Sequence, residues 1–308
     1  MGSKLGKKLE WWFRKLRLAP QILLKYGTMT PDHVHMVEGI SPIYINPVDR
    51  RAIKKILFDS IRKRYPINRR FWKDFVTTIK PSVALDVGTN YGECIFSVPY
   101  DDQVTALAFE ANPVLINYLK KSQAEHPNPD RIHLVNALVG EKPGEEVDFF
   151  VNEVWSGGST AIGGIAETMT ESTKVRVGTV SVDSVLQQKG LDAKRLVFKI
   201  DVEGFEPYVL LGMRETLAQA DFAIGFIEVD ARFLDKTGWP ASRYDEEVLS
   251  HFDLYAPKAK NGSSYVKIKA LSEYISQLDQ KHIHFDLILV KKGAVLADVP
   301  EGWTLSES

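Results

Sequence analysis

The chain has 308 residues, 44% hydrophobic and 26% charged, which is enough for one large globular domain or two modest ones with a sizeable core. A single cysteine, Cys94, excludes an intrachain disulfide and a disulfide-stapled secreted scaffold, and points to a reducing cytoplasm. The net charge of −1 hides an asymmetry: residues 1–80 carry 18 lysines and arginines against 6 acids, the remainder 21 against 34, so a basic region meets an acidic domain.

Residues 4–18 read as a short amphipathic helix. Leu5, Leu9, Trp12 and Leu16 share one helical face, and Lys4, Lys7, Lys8, Arg14, Lys15 and Arg17 surround it. A basic helix with Trp11 and Phe13 beside it suits peripheral contact with an anionic membrane, or packing on the domain with its basic face solvated. The basic residues break the apolar stretches too early for a signal peptide. No run approaches the roughly 18 apolar residues of a membrane span. Two further helices are predicted, over 49–64 with Asp49 as N-cap and from Pro66 to Ile79, stopped by Pro81. Residues 1–80 thus form a basic helical N-terminal extension.

From residue 81 the pattern alternates between strand and helix. Val83–Val87 is a strand, followed by a glycine turn and a short helix. Val104–Phe109 is the second strand, Pro113–Ala124 a helix, and Ile132–Val139 the third strand. A less regular insertion follows, with strand-like Val147–Val151 and Lys174–Val180 around a Gly/Ser/Thr-rich loop. Leu196–Ile200, a helix over Tyr208–Leu217 and a strand Ala223–Val229 resume the rhythm. Helix 244–251, strand 252–255, helix 270–279 and strand 283–291 complete the domain, and 293–308 reads as an acidic tail. Such alternation predicts an α/β fold, a Rossmann-like, mostly parallel sheet with helices on both faces over 81–292.

The segment Ala84-Leu85-Asp86-Val87-Gly88-Thr89-Asn90-Tyr91-Gly92-Glu93 closes one strand and opens a helix. Gly88 and Gly92 allow a tight turn and close approach of a ligand. Glu110 ends the next strand, where an acid can hydrogen-bond the two ribose hydroxyls of a nucleoside. Three details argue against a dinucleotide. The spacing is G-x-x-x-G rather than G-x-G-x-x-G. Asp86, two residues before the glycine, would repel a pyrophosphate but suits a cationic ligand end. Asp201 closes a further strand in Lys199-Ile200-Asp201-Val202-Glu203-Gly204, facing the same cleft. S-adenosylmethionine fits this set.

These residues carry a family resemblance. Asp86-Val87-Gly88-Thr89-Asn90-Tyr91-Gly92-Glu93, Phe109-Glu110-Ala111-Asn112-Pro113, Val180-Ser181-Val182-Asp183-Ser184-Val185 and Lys199-Ile200-Asp201-Val202-Glu203-Gly204-Phe205-Glu206 resemble the FkbM methyltransferases, over about residues 80–292. Thr89 and Ala111 depart mildly from the family pattern. The resemblance implies a class I methyltransferase fold, seven strands with the last antiparallel, and methylation of hydroxyl oxygens on sugars or natural products. The expected cofactor set is Asp86, Gly88, Thr89, Asn90, Gly92, Glu93, Glu110, Asn112, Asn136, Ala137 and Asp201.

The acceptor is narrowed by exclusion. The position where adenine-amino methyltransferases carry Asn/Asp-Pro-Pro-aromatic reads Asp201-Val202-Glu203-Gly204, and cytosine C5 transfer needs a nucleophilic cysteine that Cys94, on the cofactor-side helix, does not supply. An oxygen acceptor remains, and the family resemblance implies a hydroxyl of a carbohydrate, in a glycan or glycolipid. Being a weak acid, it calls for a base or a metal. Asp201 and Glu203 are the expected catalytic acids, with Lys199 orienting a carboxylate. Asp201, Glu228 and Asp230 could together hold Mg²⁺. Trp155 beside Ser156-Gly157-Gly158-Ser159 could stack on a sugar ring, as could Trp239 and Tyr244 near the later loop. His282 and His284 share a strand face, and His33 and His35 could line a substrate path. Other readings are a tailoring enzyme for a soluble natural product, which needs an apolar pocket, a nucleic-acid binder, for which no RNA-binding module is present, and a catalytically dead cofactor-binding scaffold.

Overall fold

The computed structural model describes residues 18–36, 40–62, 65–259, 262–278, 284–294 and 299–307. The amphipathic helix expected over 4–18 lies outside the described residues apart from Leu18, and so does His282. Residues 18–26 are helical and bury Leu18 and Ile22, one turn apart, while Leu24 stands 90% exposed. A small antiparallel pair follows, β1 (His33–Val34) with β2 (Ile43–Tyr44).

Two helices then form a layer. In the first, Arg50–Ile61, Asp49 caps the start by accepting from the Ala52 N–H at 2.9 Å. The second, Ile67–Ile79, buries Phe71, Trp72, Phe75, Val76 and Ile79 along one stripe. It ends where Lys80 turns left-handed (φ 48°) ahead of Pro81.

Among the described residues the main sheet has nine strands rather than the expected seven. In chain order they are β3 (Val83–Val87), β4 (Thr105–Phe109), β5 (Ile132–Val135), β9 (Arg195–Ile200), β10 (Phe222–Asp230), β11 (Phe252–Pro257), β12 (Ser264–Ile268), β13 (His284–Lys291) and β14 (Thr304–Ser306). They lie side by side as β14-β12-β11-β13-β10-β9-β3-β4-β5. β5, β4, β3, β9 and β10 run parallel; β13 is antiparallel to both its neighbours, β10 and β11. This is the class I methyltransferase order, extended by two edge strands. A second sheet, ordered β6-β8-β7, holds β6 (Leu138–Val139), β7 (Glu146–Asn152) and β8 (Ser172–Val180). The expected third strand is therefore split. It leaves the main sheet at Asn136 and Ala137 and re-enters pairing as β6 against β8.

Alternation along each strand divides the core in two. Val83, Leu85, Val87, Leu107, Phe109, Leu196, Phe198 and Ile200 face one side. Ala84, Ala106, Ala108 and Val197 face the other, and their small side chains make room for Phe71, Trp72 and Phe75. Residues 18–79 thus share a core with the sheet. Phe198 fits because Gly225 lies opposite it; a Cβ there would come within 2.0 Å of the ring. The supposed acidic tail is also part of the fold. β14 pairs with β12, and Trp303 is buried against Phe71, Phe75 and Tyr265. A chain that reads as acidic can still add a strand, since pairing uses backbone groups and Trp303 supplies the apolar anchor.

The short helix expected after the glycine turn does not form. Residues 90–96 pass through consecutive turns closed by Gly92 N–H to Thr89 O and Phe96 N–H to Gly92 O. Gly92 has φ 83°, outside the helical region, and a Cβ there would meet the Phe96 ring at 2.2 Å.

Candidate active site

The chain runs outward from β3 through β4 to β5, then returns to β9 on the other side of β3. The carboxyl ends of β3 and β9 therefore flank a topological switch point, the place where open α/β sheets bind ligands. The cleft there has about 980 Å³ of empty space, its open mouth included.

Loop geometry builds its first half. The N–H groups of Gly88 and Thr89 both donate to Phe109 O, which draws the loop after β3 over the end of β4. Glu110 then takes the Asn90 N–H at 2.7 Å and the Asn112 N–H at 2.8 Å. Asn90 is left-handed (φ 52°), so this loop holds a non-glycine residue in a sparsely populated conformation. Burial pushes the Glu110 carboxyl up to about 7 against the pull of those two N–H groups. Gly88 is required by the neighbouring strand, since a Cβ there would come within 1.8 Å of Asp201 O.

Strand register builds the seam. Asp86 lies directly beside Lys199 across β3 and β9. The Lys199 ammonium is 3.3 Å from Asp86 Oδ1 and 3.4 Å from Asp201 Oδ2, and donates to Gly88 O at 2.9 Å. Burial would lower Lys199, but Asp201 and Asp86 outweigh it and hold the ammonium above its usual range. Burial raises Asp86, which Lys199 only partly offsets. Asp201 sits between: burial would raise it, and Lys199 and Lys55 pull it below its ordinary value.

The second half is a crowd of acids. Carboxylate oxygens of Asp201, Glu203 and Glu228 lie within 4.8 Å of one another. Glu203 is left-handed (φ 52°), its carbonyl taking the Thr160 hydroxyl at 2.8 Å. Burial, with Glu228 and Asp201 nearby, pushes its carboxyl up to about 10, so it is protonated at neutral pH. Burial and Asp201 also raise Glu228, while His284 opposes them through a 2.7 Å hydrogen bond from Nε2. That bond in turn lifts His284 to about 9. Asp286, opposite Glu228 across β10 and β13, is pushed to about 8 by burial, Glu228 and Asp201. Glu206 holds the loop beneath by accepting the Val202 and Gly204 N–H groups at 3.1 and 3.2 Å.

A profile of the Methyltransferase FkbM domain matches residues 86–274, from the end of β3 to beyond β12. The chain belongs to the FkbM methyltransferase family. Three solved structures show weak similarity to this FkbM methyltransferase. Methyltransferase FkbM from Methylobacillus flagellatus KT has a TM-score of 0.42 at 11% identity over 78% of this chain, which spans only 55% of that protein. The O-methyltransferase from Bacillus cereus in complex with SAH has a TM-score of 0.42 at 10% identity, over 81% of this chain and 92% of its own. The O-methyltransferase TomG from Streptomyces achromogenes, in complex with SAM, has a TM-score of 0.37 at 9% identity, over 73% of this chain and 79% of its own. No curated protein matches the chain.

In this FkbM methyltransferase most of the expected cofactor residues line one cleft: Gly88, Thr89, Asn90, Glu93, Glu110, Ala137 and Asp201. Asp86 reaches it through Lys199. Gly92 shapes the loop from behind, against Phe96. Like Asp86 and Gly92, the expected residues Asn112 and Asn136 do not line the cleft. Asn112 is buried and caps its own turn by accepting the Val114 N–H, and Asn136 donates to Glu110 O at 2.7 Å. The donor set fits a cationic nucleoside ligand. Five carboxyls face the cleft (Glu93, Glu110, Asp201, Glu203 and Glu228) against two lysines (Lys55 and Lys199), a balance hostile to a pyrophosphate.

The expected metal set changes by one residue. Asp230 turns away to hold the Arg232 guanidinium and backbone N–H, and Glu203 takes its place beside Asp201 and Glu228. Cys94 is buried and its thiol is pushed up by burial, which rules out an activated nucleophile. Trp155 lines the cleft, whereas Trp239 and Tyr244 are buried in the core. His33 and His35 meet edge to face, away from the lining residues. Sequence reasoning missed Lys55, Asn68 and Phe149, which reach the cleft from the N-terminal helices and the insertion. It also missed the link between His284 and Glu228. Among the described residues, no helix is long and apolar enough to cross a membrane.

Proposed function

We propose that this protein transfers the methyl group of S-adenosylmethionine to a hydroxyl oxygen of a carbohydrate, within a glycan or glycolipid, on the cytoplasmic side. The observation that carries the reading is Glu228: a carboxyl with raised basicity that faces the cleft beside Asp201. When bound, S-adenosylmethionine supplies a methyl group on a sulfonium, open to in-line displacement. Glu110 is the acid for the ribose hydroxyls. Asp201, kept ionised by Lys199 and Lys55, is the acid for the methionine ammonium. Glu228 would take the acceptor's hydroxyl proton as that oxygen is methylated. Glu203, protonated at neutral pH, donates a hydrogen bond to the acceptor. Trp155 offers a ring on which a sugar can stack. The acid-lined cleft weighs against an apolar natural-product acceptor.

A metal-assisted variant has its own observation. Asp201, Glu203 and Glu228 form an all-oxygen set suited to Mg²⁺, which would polarise the acceptor hydroxyl. Peripheral membrane contact through residues 4–18 belongs to the glycolipid form of the reading.

Transfer of labelled methyl into fractionated extract tests all of this. Label is expected in the glycolipid or glycan fraction, with Glu228→Gln slower by about 10²–10⁴-fold, the usual worth of a general base. Loss of label with EDTA selects the metal variant. Label confined to RNA or to small apolar molecules overturns the acceptor.

A further inference from the structure

Arg51 and Lys55 lie one turn apart on the helix Arg50–Ile61, and so project from the same face. Both reach one indole. The Arg51 guanidinium carbon is 4.6 Å from the Trp155 ring centre, and the Lys55 ammonium 5.8 Å. Among the described residues, neither cation closes an ion pair. Lys55 is held above its usual range chiefly by the field of Glu93, with burial opposing it. The field at Lys55 is already supplied by Glu93, Asp201, Asp59 and Glu228, whereas the exposed Arg51 guanidinium is stacked on the indole with no carboxylate paired to it among the described residues, which leaves its planar fork open to an oxyanion.

The ring they share is fixed in advance. The Trp155 backbone N–H donates to Asn152 Oδ1 at 3.1 Å. The next residue ties the loop to the helix start, since the Ser156 N–H donates to Asp49 Oδ2 at 3.1 Å. Ser156 Oγ also donates to Asn90 Oδ1 at 3.0 Å, which joins this corner to the loop after β3. Gly157 packs against the indole so closely that a Cβ would come within 2.8 Å of it. Lys55 and Trp155 line the cleft together with the acids Glu93, Asp201, Glu203 and Glu228, and the exposed Arg51 stacks on Trp155 at the cleft's edge.

Resting on the methyltransferase reading above, we propose that this corner is an acceptor subsite for an oxyanion, a carboxylate or phosphate carried by the glycan, several atoms from the methylated hydroxyl. The anion is attracted to Arg51 at the edge and repelled from the acids, so it orients the acceptor with its uncharged hydroxyl end inward. The shared chemistry admits two sources, an acidic sugar or the phosphate of a lipid carrier. Val48 and Val154 stand 75% and 44% exposed beside the Asp49–Ser156 hydrogen bond, where a lipid chain would pass.

The test uses the full chain saturated with S-adenosylhomocysteine. Binding of methyl glucoside, methyl glucuronide and glucose 1-phosphate is compared by calorimetry, and binding to phosphatidylcholine vesicles with and without phosphatidylglycerol by sedimentation. A preference of at least tenfold for an anionic probe over its neutral partner is expected, and which probe shows it identifies the source. Arg51→Gln should reduce that preference severalfold, and Arg51→Gln with Lys55→Gln should remove it, with thermal melting showing both variants folded. Equal binding of neutral and anionic probes, or a preference that survives the double substitution, overturns the proposal. Titration of the ligand-free protein and of both variants with S-adenosylhomocysteine tests the cofactor reading separately, so the two can fail independently.

Discussion

The two halves of the cleft are built by different rules. The cofactor half comes from one unbroken loop and one strand end, residues 86–93 and 110: Glu110 receives two backbone N–H groups, Thr89 donates to Asp86 O, and the Asp86 carboxylate faces the Lys199 ammonium. The proposed acceptor half draws Glu203 from the loop after β9, Glu228 from β10, His284 from β13, Lys55 from an N-terminal helix and Trp155 from the insertion, with Asp201 at the end of β9 between the two halves. Its acids repel one another, and Glu203 sits on a left-handed backbone. Ligand binding needs a matched, rigid cradle. Proton transfer needs groups held away from their ordinary protonation, and crowding supplies that.

Lys199 joins the halves, so its replacement should break both. In Lys199→Met the buried Asp86 loses its counter-ion, and breaking such a pair costs about 3–5 kcal/mol. Denaturant unfolding should show that loss, together with weakened S-adenosylhomocysteine binding. A variant as stable as the parent would mean that Asp86 is neutral and that the seam is not ionic.

Glu110→Gln should separate the halves. It keeps the shape and removes the charge that holds Asn90 and Asn112. Hydrogen bonds to charged groups contribute about 1.5–3 kcal/mol, so S-adenosylhomocysteine affinity should fall roughly ten- to hundredfold. Fluorescence titration measures it. Unchanged affinity would remove Glu110 from the cofactor half.

The smallest effect belongs to His284, which is half exposed. Its pKa is lifted by the Glu228 hydrogen bond from 6.5 to about 9. A raised folded-state value stabilises fully below the unfolded value and fades as pH rises through the folded one. Melting temperatures of the parent and His284→Gln should therefore differ near pH 6 and converge above about pH 9. A gap that persists at high pH would mean packing rather than the ion pair.

The same contrast explains what was legible in the sequence. Asp86, Gly88, Asn90 and Glu110 could be read because local spacing fixes where they go: a strand end, a turn, the next strand end. Asp201 and Glu203 were legible for the same reason. Glu228 and Asp230 both end β10, two residues apart on one face, and only the Arg232 side chain decides that Asp230 turns away. The Lys55–Trp155 contact joins segments a hundred residues apart, and no periodicity encodes it. The edge strands escaped because β14 is three residues in an acidic stretch. The split of the third strand at Asn136 has no local signal; it follows from β6 pairing with β8 instead.

Strand β13 follows β10 and β11 in the chain yet lies between them. A polypeptide leaving the ribosome must therefore present the Glu228-bearing edge of β10 without its permanent neighbour until residues 284–291 have been synthesised. Such an open edge is a template for pairing with another chain, and its closure is a slow, non-local event. The β10 edge that carries Glu228 is then closed well after the loop following β3 and the end of β4 have emerged, and that interval is when the nascent chain is most exposed to misassembly.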